Sequence, residues 1–408
     1  MATVDNLFLP GWSSLDSTEL RLLLNEKIGG SGQVDGDMAQ HVPFYLPMAD
    51  DTCQIILKFK NGKIIRIEQG ESFNKESWKE IVFLIDGLLN RGRIKIGRGL
   101  GFSSRPVSGY WKGPCSNIQI CPPPANAPQT TMHGAQNPFV LEFPIVMSGI
   151  DRVDSYRMGR EYRKYCRVLN VILNSHIQFH GMRQRSFWAQ LEQRRGSSEL
   201  FEYRWVQSGY FADIGKVICD QHSSYSYQQI AHFDSAEYFS PRTYHGDSLT
   251  TPSNLDDLLA KYQNLSRNEQ EKFDCGAYWF DLSVRQWELS ASASFLALVS
   301  AIEAFVGRGQ SHDIYCPVCA SDFTHEVPGV VQRFKTFLEE YGGDIGLTKE
   351  RAAMYALRSG IAHGSTVLRL DDDHYAGWDP VTETERDLQW NMHKVAKTAM
   401  INWLSSRG

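Results

Sequence analysis

Val284, Trp287, Ala291, Phe295, Leu298, Val299, Ile302 and Phe305 recur in steps of three, four or one. That is the spacing of a helix with one buried face. The same period returns in Val330, Val331, Phe334, Phe337, Leu338 and Tyr341, and in Leu388, Met392, Val395, Ala396, Ala399 and Trp403. Ser253 is placed to cap a further helix running to about Leu265, and another covers roughly Thr348 to His363. Such stripes bury their apolar faces only against one another, so the chain from about 251 onward is expected to form an all-α bundle.

The front of the chain has another texture. In Ile55-Ile56-Leu57-Lys58-Phe59-Lys60, Asn61-Gly62 and Lys63-Ile64-Ile65-Arg66-Ile67, an Asn-Gly pair separates alternating apolar runs, which predicts a β-hairpin. Trp78 to Leu89 reads as a short helix and Gly92 to Ile96 as a strand, while the proline-rich stretch 103–138 reads as loop. Tyr156 to Leu173 reads as a basic helix, followed by short β-like alternation and a Ser/Tyr/His-rich linker over 220–254. The expected fold class is α+β, with a β-rich N-terminal region and a helical C-terminal one. Texture places a regulatory domain at 1–150, a mixed segment at 151–250 and a helical domain at 251–408.

Apolar residues at 42% and charged residues at 22% of 408 exclude a largely disordered chain, and a net charge of −5 excludes a coat of basic charge. No apolar run reaches the length of a membrane span. Met1 to Trp12 lacks a basic stretch followed by an apolar run, so no export signal is expected. The 8 cysteines are scattered, which fits reduced thiols in the cytoplasm.

The sharpest local constellation is Leu357-Arg358-Ser359-Gly360-Ile361-Ala362-His363-Gly364. It sets a guanidinium and an imidazole five residues apart at a helix end, with Gly364 in the position that commonly terminates a helix. Five residues turn an ideal helix by ~140°, so the two side chains do not share a face. Either Gly360 loosens the turn, or two copies meet across a two-fold axis and pool their pairs. A neutral imidazole can take the proton of a ribose 2′-OH, and a guanidinium can stabilise charge on phosphoryl oxygens. An ordinary helix cap accounts for the same residues without chemistry.

Arg358-(x)4-His363 in the third helix of a four-helix bundle resembles the R-x4–6-H signature of HEPN domains. Phe295 to Phe305, with the segment Phe273 to Trp287 upstream, resembles the preceding helices of the ApeA-like branch, and the likeness spans about 255–405. The resemblance implies a metal-independent endoribonuclease, often of anti-phage or abortive-infection systems. It implies a homodimer with RNA as substrate and no cofactor for catalysis. Carried over by position, Arg358 and His363 would be catalytic, with Ser359 and Glu303 beside them. The family often has Asn, Asp or His where this chain has Ser359, which keeps open the alternative of a catalytically silent HEPN scaffold that binds RNA or a partner protein.

Two further groups stand out. Cys316-Pro317-Val318-Cys319 is the C-x2-C knuckle that wraps thiolates around zinc; with His312 and His325 it gives H-x3-C-x2-C-x5-H. A structural zinc on His312, Cys316, Cys319 and His325 is one expectation, and plain loop thiols the other. A zinc-dependent hydrolase is disfavoured, because a closed ligand set leaves no position for water. Residues 151–200 carry ten Lys/Arg against five Asp/Glu. Arg157, Arg160, Arg163, Lys164 and Arg167 form a candidate RNA-binding face with Tyr156, Tyr162 and Tyr165 interleaved, the alternative being a solvated helix with its tyrosines in the core.

Overall fold

The computed structural model describes residues 16–28, 41–45, 53–60, 63–70, 73–90, 93–122, 129–130, 137–178, 188–194, 201–207, 228–240, 246–307, 309–316, 318–319, 321–343, 350–372 and 380–407. The fold is α+β, β-rich toward the N-terminus and helical toward the C-terminus. It packs as two compact units, one of residues 1–97 and 144–161, the other of 98–143 and 162–408. These units follow packing, and their limits do not fall at the texture changes near 150 and 250.

The first unit holds α1 (Ser17–Ile28), β1 (His41–Tyr45), β2 (Cys53–Lys60), β3 (Lys63–Gln69), α2 (Lys75–Asn90) and the start of β4 (Arg93–Ser103). The expected hairpin is present, with β2 antiparallel to β3 and Lys60 opposite Lys63; Asn61-Gly62 lies outside the described residues. β1 completes a three-stranded sheet in the order β1-β2-β3. Ile55, Leu57, Ile64 and Ile67 of the sheet pack with Leu20, Leu23 and Leu24 of α1 and with Trp78, Ile81 and Ile85 of α2. Those helical positions are three, four or one apart, so each helix turns one apolar stripe to the sheet. Side chains cap both helices: the backbone N–H of Thr18 donates to Asp16, and those of Glu76 and Ser77 to Asn74.

The second unit continues with β5 (Trp111–Lys112), β6 (Gln119–Cys121), β7 (Gln129–Thr130), β8 (Pro138–Met147), α3 (Asp151–Ile172), β9 (Ile177–Gln178), β10 (Trp188–Arg194) and β11 (Phe201–Gln207). β8 and α3 run through both units. A five-stranded sheet in the order β5-β6-β8-β4-β9 shows that the stretch read as loop carries strands. Its β6 pairs antiparallel with β8, Ile120 opposite Leu141. Phe139, Leu141 and Phe143 of β8 are buried together with Cys166, Leu169 and Ile172 of α3. The segment read as linker likewise contains β12 (His232–Phe233), α4 (Ser235–Tyr238) and β13 (Thr251–Pro252), with β12 and β13 pairing in parallel.

The helical part comprises α5 (Leu255–Asn264), α6 (Arg267–Gln286), α7 (Ala291–Glu303), a hairpin of β14 (Gln310–Cys316) and β15 (Ser321–Val327), α8 (Val330–Tyr341), α9 (Glu350–Ala362), α10 (Arg369–Asp372) and α11 (Pro380–Ser405). Two expectations are corrected. Asn254, not Ser253, holds the N-cap position of α5. The stripe from Val284 to Phe305 is broken between α6 and α7, because Ser290 caps α7 and the carboxylate of Asp371 accepts the N–H groups of Ala291 and Ser292 at 2.5 and 3.0 Å. Satisfying those orphan donors terminates one helix and starts the next. α11 packs against α5, α6, α7, α8 and α9 and forms the centre of the bundle. Met392, Val395, Ala396, Ala399 and Met400 supply its buried stripe. Among the described residues no helix is long and apolar enough to cross a membrane.

Candidate functional site

The site is built where the last turn of α7 meets α9. Met354 is fully buried and Tyr355 nearly so, which fixes the rotation of α9. Residues three apart lie on one helix face, so Arg358 stands one turn beyond Tyr355. Glu303, the last residue of α7, meets both. Arg358 Nη2 donates to Glu303 Oε2 at 2.9 Å, and the Tyr355 hydroxyl donates to Oε1 at 3.2 Å. The guanidinium carbon of Arg358 lies 5.6 Å from the centroid of the Tyr355 ring. Arg358 Nε is buried without a hydrogen-bond partner. Burial, reinforced by the Glu303 charge, raises the Tyr355 phenol above its ordinary range, so it stays a donor.

The end of α9 is a Schellman cap. The N–H of Gly364 donates to the carbonyl of Ile361 and that of Ser365 to the carbonyl of Gly360, with Gly364 at φ +69°. This is the 5→2 and 6→1 pattern with a left-handed residue at the terminus, and His363 is the residue immediately before it. Gly360 does not loosen the helix, as was one expectation. A Cβ there would lie 2.7 Å from Thr366 Oγ1, so its missing side chain makes room for the chain folding back over the cap. The Leu368 N–H then donates to Ser292 Oγ at 2.8 Å, tethering that return to the start of α7.

Among the expected catalytic residues, the structure brings Arg358 and Glu303 together. Ser359 is half-buried on α9, and His363 is exposed at the cap. Tyr355 is a site residue the sequence reading missed, although its i,i+3 spacing to Arg358 was available as a signal. Arg351 was also missed. It is a buried cation whose Nη2 donates to the carbonyl of Gly343 just past α8 at 3.4 Å, the end of a helix that attracts positive charge.

The residues of the expected RNA-binding face are divided between the two units. In the first unit Arg157 is buried and donates to Glu19 at 2.6 Å and to the Val146 carbonyl at 3.1 Å, while Arg160 pairs with Glu19 at 2.9 Å. In the second, Lys164 pairs with Asp274 at 3.2 Å and the Arg167 guanidinium lies 4.9 Å from the Tyr278 ring centroid. Arg157, Arg160 and Lys164 are thus each paired with a carboxylate of their own unit. Arg163 is partly exposed on the same helix. Tyr165 is 5% exposed and belongs to the core, as the alternative reading had it.

The four expected zinc ligands lie on one hairpin. His312 and His325 are directly opposite each other in the β14–β15 register, whereas Cys316 faces Ser321 at the tip, with Cys319 in the tip turn. Cys316 follows His312 by four residue steps along β14, about 13 Å of backbone at strand rise. The side chains of His312, Cys316 and His325 lie outside the described residues.

Neither family models, curated proteins nor solved structures yield a match to the chain.

Proposed function

We propose that the helical domain is a metal-independent endoribonuclease of HEPN type, of the ApeA-like branch, acting as a homodimer in cytoplasmic anti-phage or abortive-infection defence. The observation that supports this best is the placement of Arg358 against Glu303 while His363 is presented, exposed, at a fixed helix cap. A cation held in place and a solvent-facing imidazole are the two groups that transesterification of RNA requires.

In this reading the imidazole of His363 takes the proton of a 2′-OH. The 2′-oxygen forms a bond to phosphorus as the bond to the 5′-oxygen breaks, and Arg358 stabilises the charge on the non-bridging oxygens. The leaving 5′-oxygen takes a proton from the protonated His363 of a second copy. The ends are a 2′,3′-cyclic phosphate and a 5′-OH. The N-terminal region acts as the regulator that restrains a toxic activity.

The test is RNA digestion in excess EDTA with wild type, His363→Ala and Arg358→Ala, with fragment ends typed. Cleavage by wild type alone, leaving cyclic phosphates, is the expected result. Undiminished cleavage by a folded His363→Ala protein would overturn the assignment. The second reading, a silent scaffold for RNA or a partner protein, draws on Ser359 and on a guanidinium already paired with Glu303. It predicts that overproduced wild type is harmless to a host cell, where the nuclease predicts toxicity relieved by Arg358→Ala.

A further inference from the structure

Within the second unit, α6, α8, α11 and the turn after α7 line a cavity of about 520 Å³. That size falls in the range of small-molecule sites, roughly 300–1,000 Å³. Its floor is aromatic. The Phe305 ring centroid lies 5.5 Å from that of Phe337 and 4.8 Å from that of Trp403, and all three residues are buried. Its rim is charged. The guanidinium carbon of Arg407 lies 4.5 Å from the Trp403 ring centroid, and Arg407 Nη1 lies 3.6 Å from Glu269 Oε1. That separation is longer than a hydrogen bond, and Arg407 Nε is buried without a hydrogen-bond partner. Lys272, one turn beyond Glu269 on α6, lines the same cavity. Glu269 is already engaged: its Oε2 accepts the N–H and the hydroxyl of Ser266 at 3.2 and 2.6 Å, as part of a capping box. Those bonds hold its carboxyl below the ordinary range, so it is ionised at neutral pH. The lining side chains therefore set two positive charges against one negative, and one positive charge is left unmatched.

We propose that this cavity binds a small aromatic carboxylate, its ring over the Phe305, Phe337 and Trp403 floor and its carboxylate on Arg407 and Lys272. A planar ring suits a floor made of other rings, which take partners offset or edge-on. A single carboxylate neutralises the surplus charge, and a guanidinium offers it two parallel N–H donors. A phosphate monoester, with close to two negative charges, would exceed that surplus. The site is separate from the proposed catalytic one, because neither Glu303 nor Arg358 lines the cavity.

The test is isothermal titration calorimetry on the full chain, with 1-naphthoate as the probe and 1-naphthalenemethanol as its uncharged counterpart. The expected result is one naphthoate per chain with a Kd below ~1 mM, the scale for a ligand of about 13 heavy atoms. The alcohol should bind at least ~10-fold more weakly, the scale of one charge-assisted hydrogen bond. Arg407→Gln and Lys272→Gln should each weaken naphthoate by a similar factor while keeping their circular dichroism. Glu269→Gln keeps a capping oxygen and removes the competing charge, so it should bind naphthoate more tightly. Equal affinity for acid and alcohol, wild-type affinity in a folded Arg407→Gln or Lys272→Gln protein, weaker binding by Glu269→Gln, or no binding by wild type would each overturn the proposal. Arg358→Ala and His363→Ala should bind naphthoate as wild type does, so failure of the nuclease reading and failure of this one are separately visible.

Discussion

Glu303 and Arg358 form an ion pair between the end of α7 and the middle of α9, at 2.9 Å, with side chains 19% and 26% exposed. The charge of Arg358 is therefore matched within the helical part itself. At this exposure, water screens the pair, and its contribution to stability is at most about 1 kcal/mol.

Replacing Glu303 by Gln removes the competing charge and leaves an oxygen for the Tyr355 hydroxyl. In a His363→Ala background, which prevents cleavage, Glu303→Gln is expected to bind single-stranded RNA at least ~3-fold more tightly, an effect on the scale of one exposed ion pair. Fluorescence anisotropy measures it. Weaker binding would mean that the carboxylate serves the substrate rather than opposing it.

Activity and stability should separate at His363. Its imidazole is exposed, and surface changes shift stability by about 0.5 kcal/mol or less. His363→Ala should melt within a degree or two of wild type while losing at least ~100-fold in cleavage, the range expected for a general acid–base group. Calorimetry and a cleavage assay on the same preparation check both.

Gly364 holds φ +69°, a conformation that costs a side-chain-bearing residue about 1 kcal/mol. Gly364→Ala should destabilise by that amount. It should also lower the cleavage rate more than Ser365→Ala does, because it disturbs the cap that places His363. Equal rates for the two variants would show that the cap does not position the imidazole.

Lys397 gives a pH signature. Its ammonium is buried and donates to the carbonyl of Leu173 at 2.5 Å and to Asn174 Oδ1 at 2.8 Å, both neutral oxygens. Burial, with the charge of Arg105 acting in the same direction, lowers its pKa from 10.5 to about 7. Between those values the unfolded chain holds a proton that the native chain has released, so this group makes stability rise with pH across that window. Below pH 7 the cost of the buried cation is fully present. Relative to Lys397→Met, wild type should gain on the order of a few kcal/mol in unfolding free energy between pH 7 and 10, read from urea melts. Parallel curves for the two proteins would refute the shift.

Gly276 allows α6 and α7 to approach. A Cβ there would lie 2.4 Å from Phe305 Cε2 and 3.0 Å from the carbonyl of Ala301. Gly276→Ala should therefore cost roughly 1–3 kcal/mol, the range for overpacking a filled core. Thermal denaturation tests it, and a neutral result would show that Phe305 has room to move.

The helices were legible because their apolar stripes are local and periodic. Val330 to Tyr341 and the run around Leu388 to Trp403 announced α8 and α11, and Gly364 announced the end of α9. The break between α6 and α7 was not legible. It depends on Asp371, some eighty residues away, reaching the first N–H groups of α7. The basic run on α3 was visible, but its partners Glu19 and Asp274 are remote in sequence, so the ion pairs of Arg157 and Lys164 could not be read from composition. The short strands β5 and β6 were hidden for a similar reason: two or three residues paired across a sheet carry no period of their own.

α11 touches α5, α6, α7, α8 and α9, and it is the final segment of the described chain. On a ribosome the helices bearing Glu303, Arg358 and His363 are all synthesised before the helix they pack around. The bundle core therefore closes only when residues 380–405 leave the exit tunnel. A nascent chain that still lacks them has no finished scaffold for the site. The site is thus assembled last, once α11 has emerged to pack against the helices that carry it.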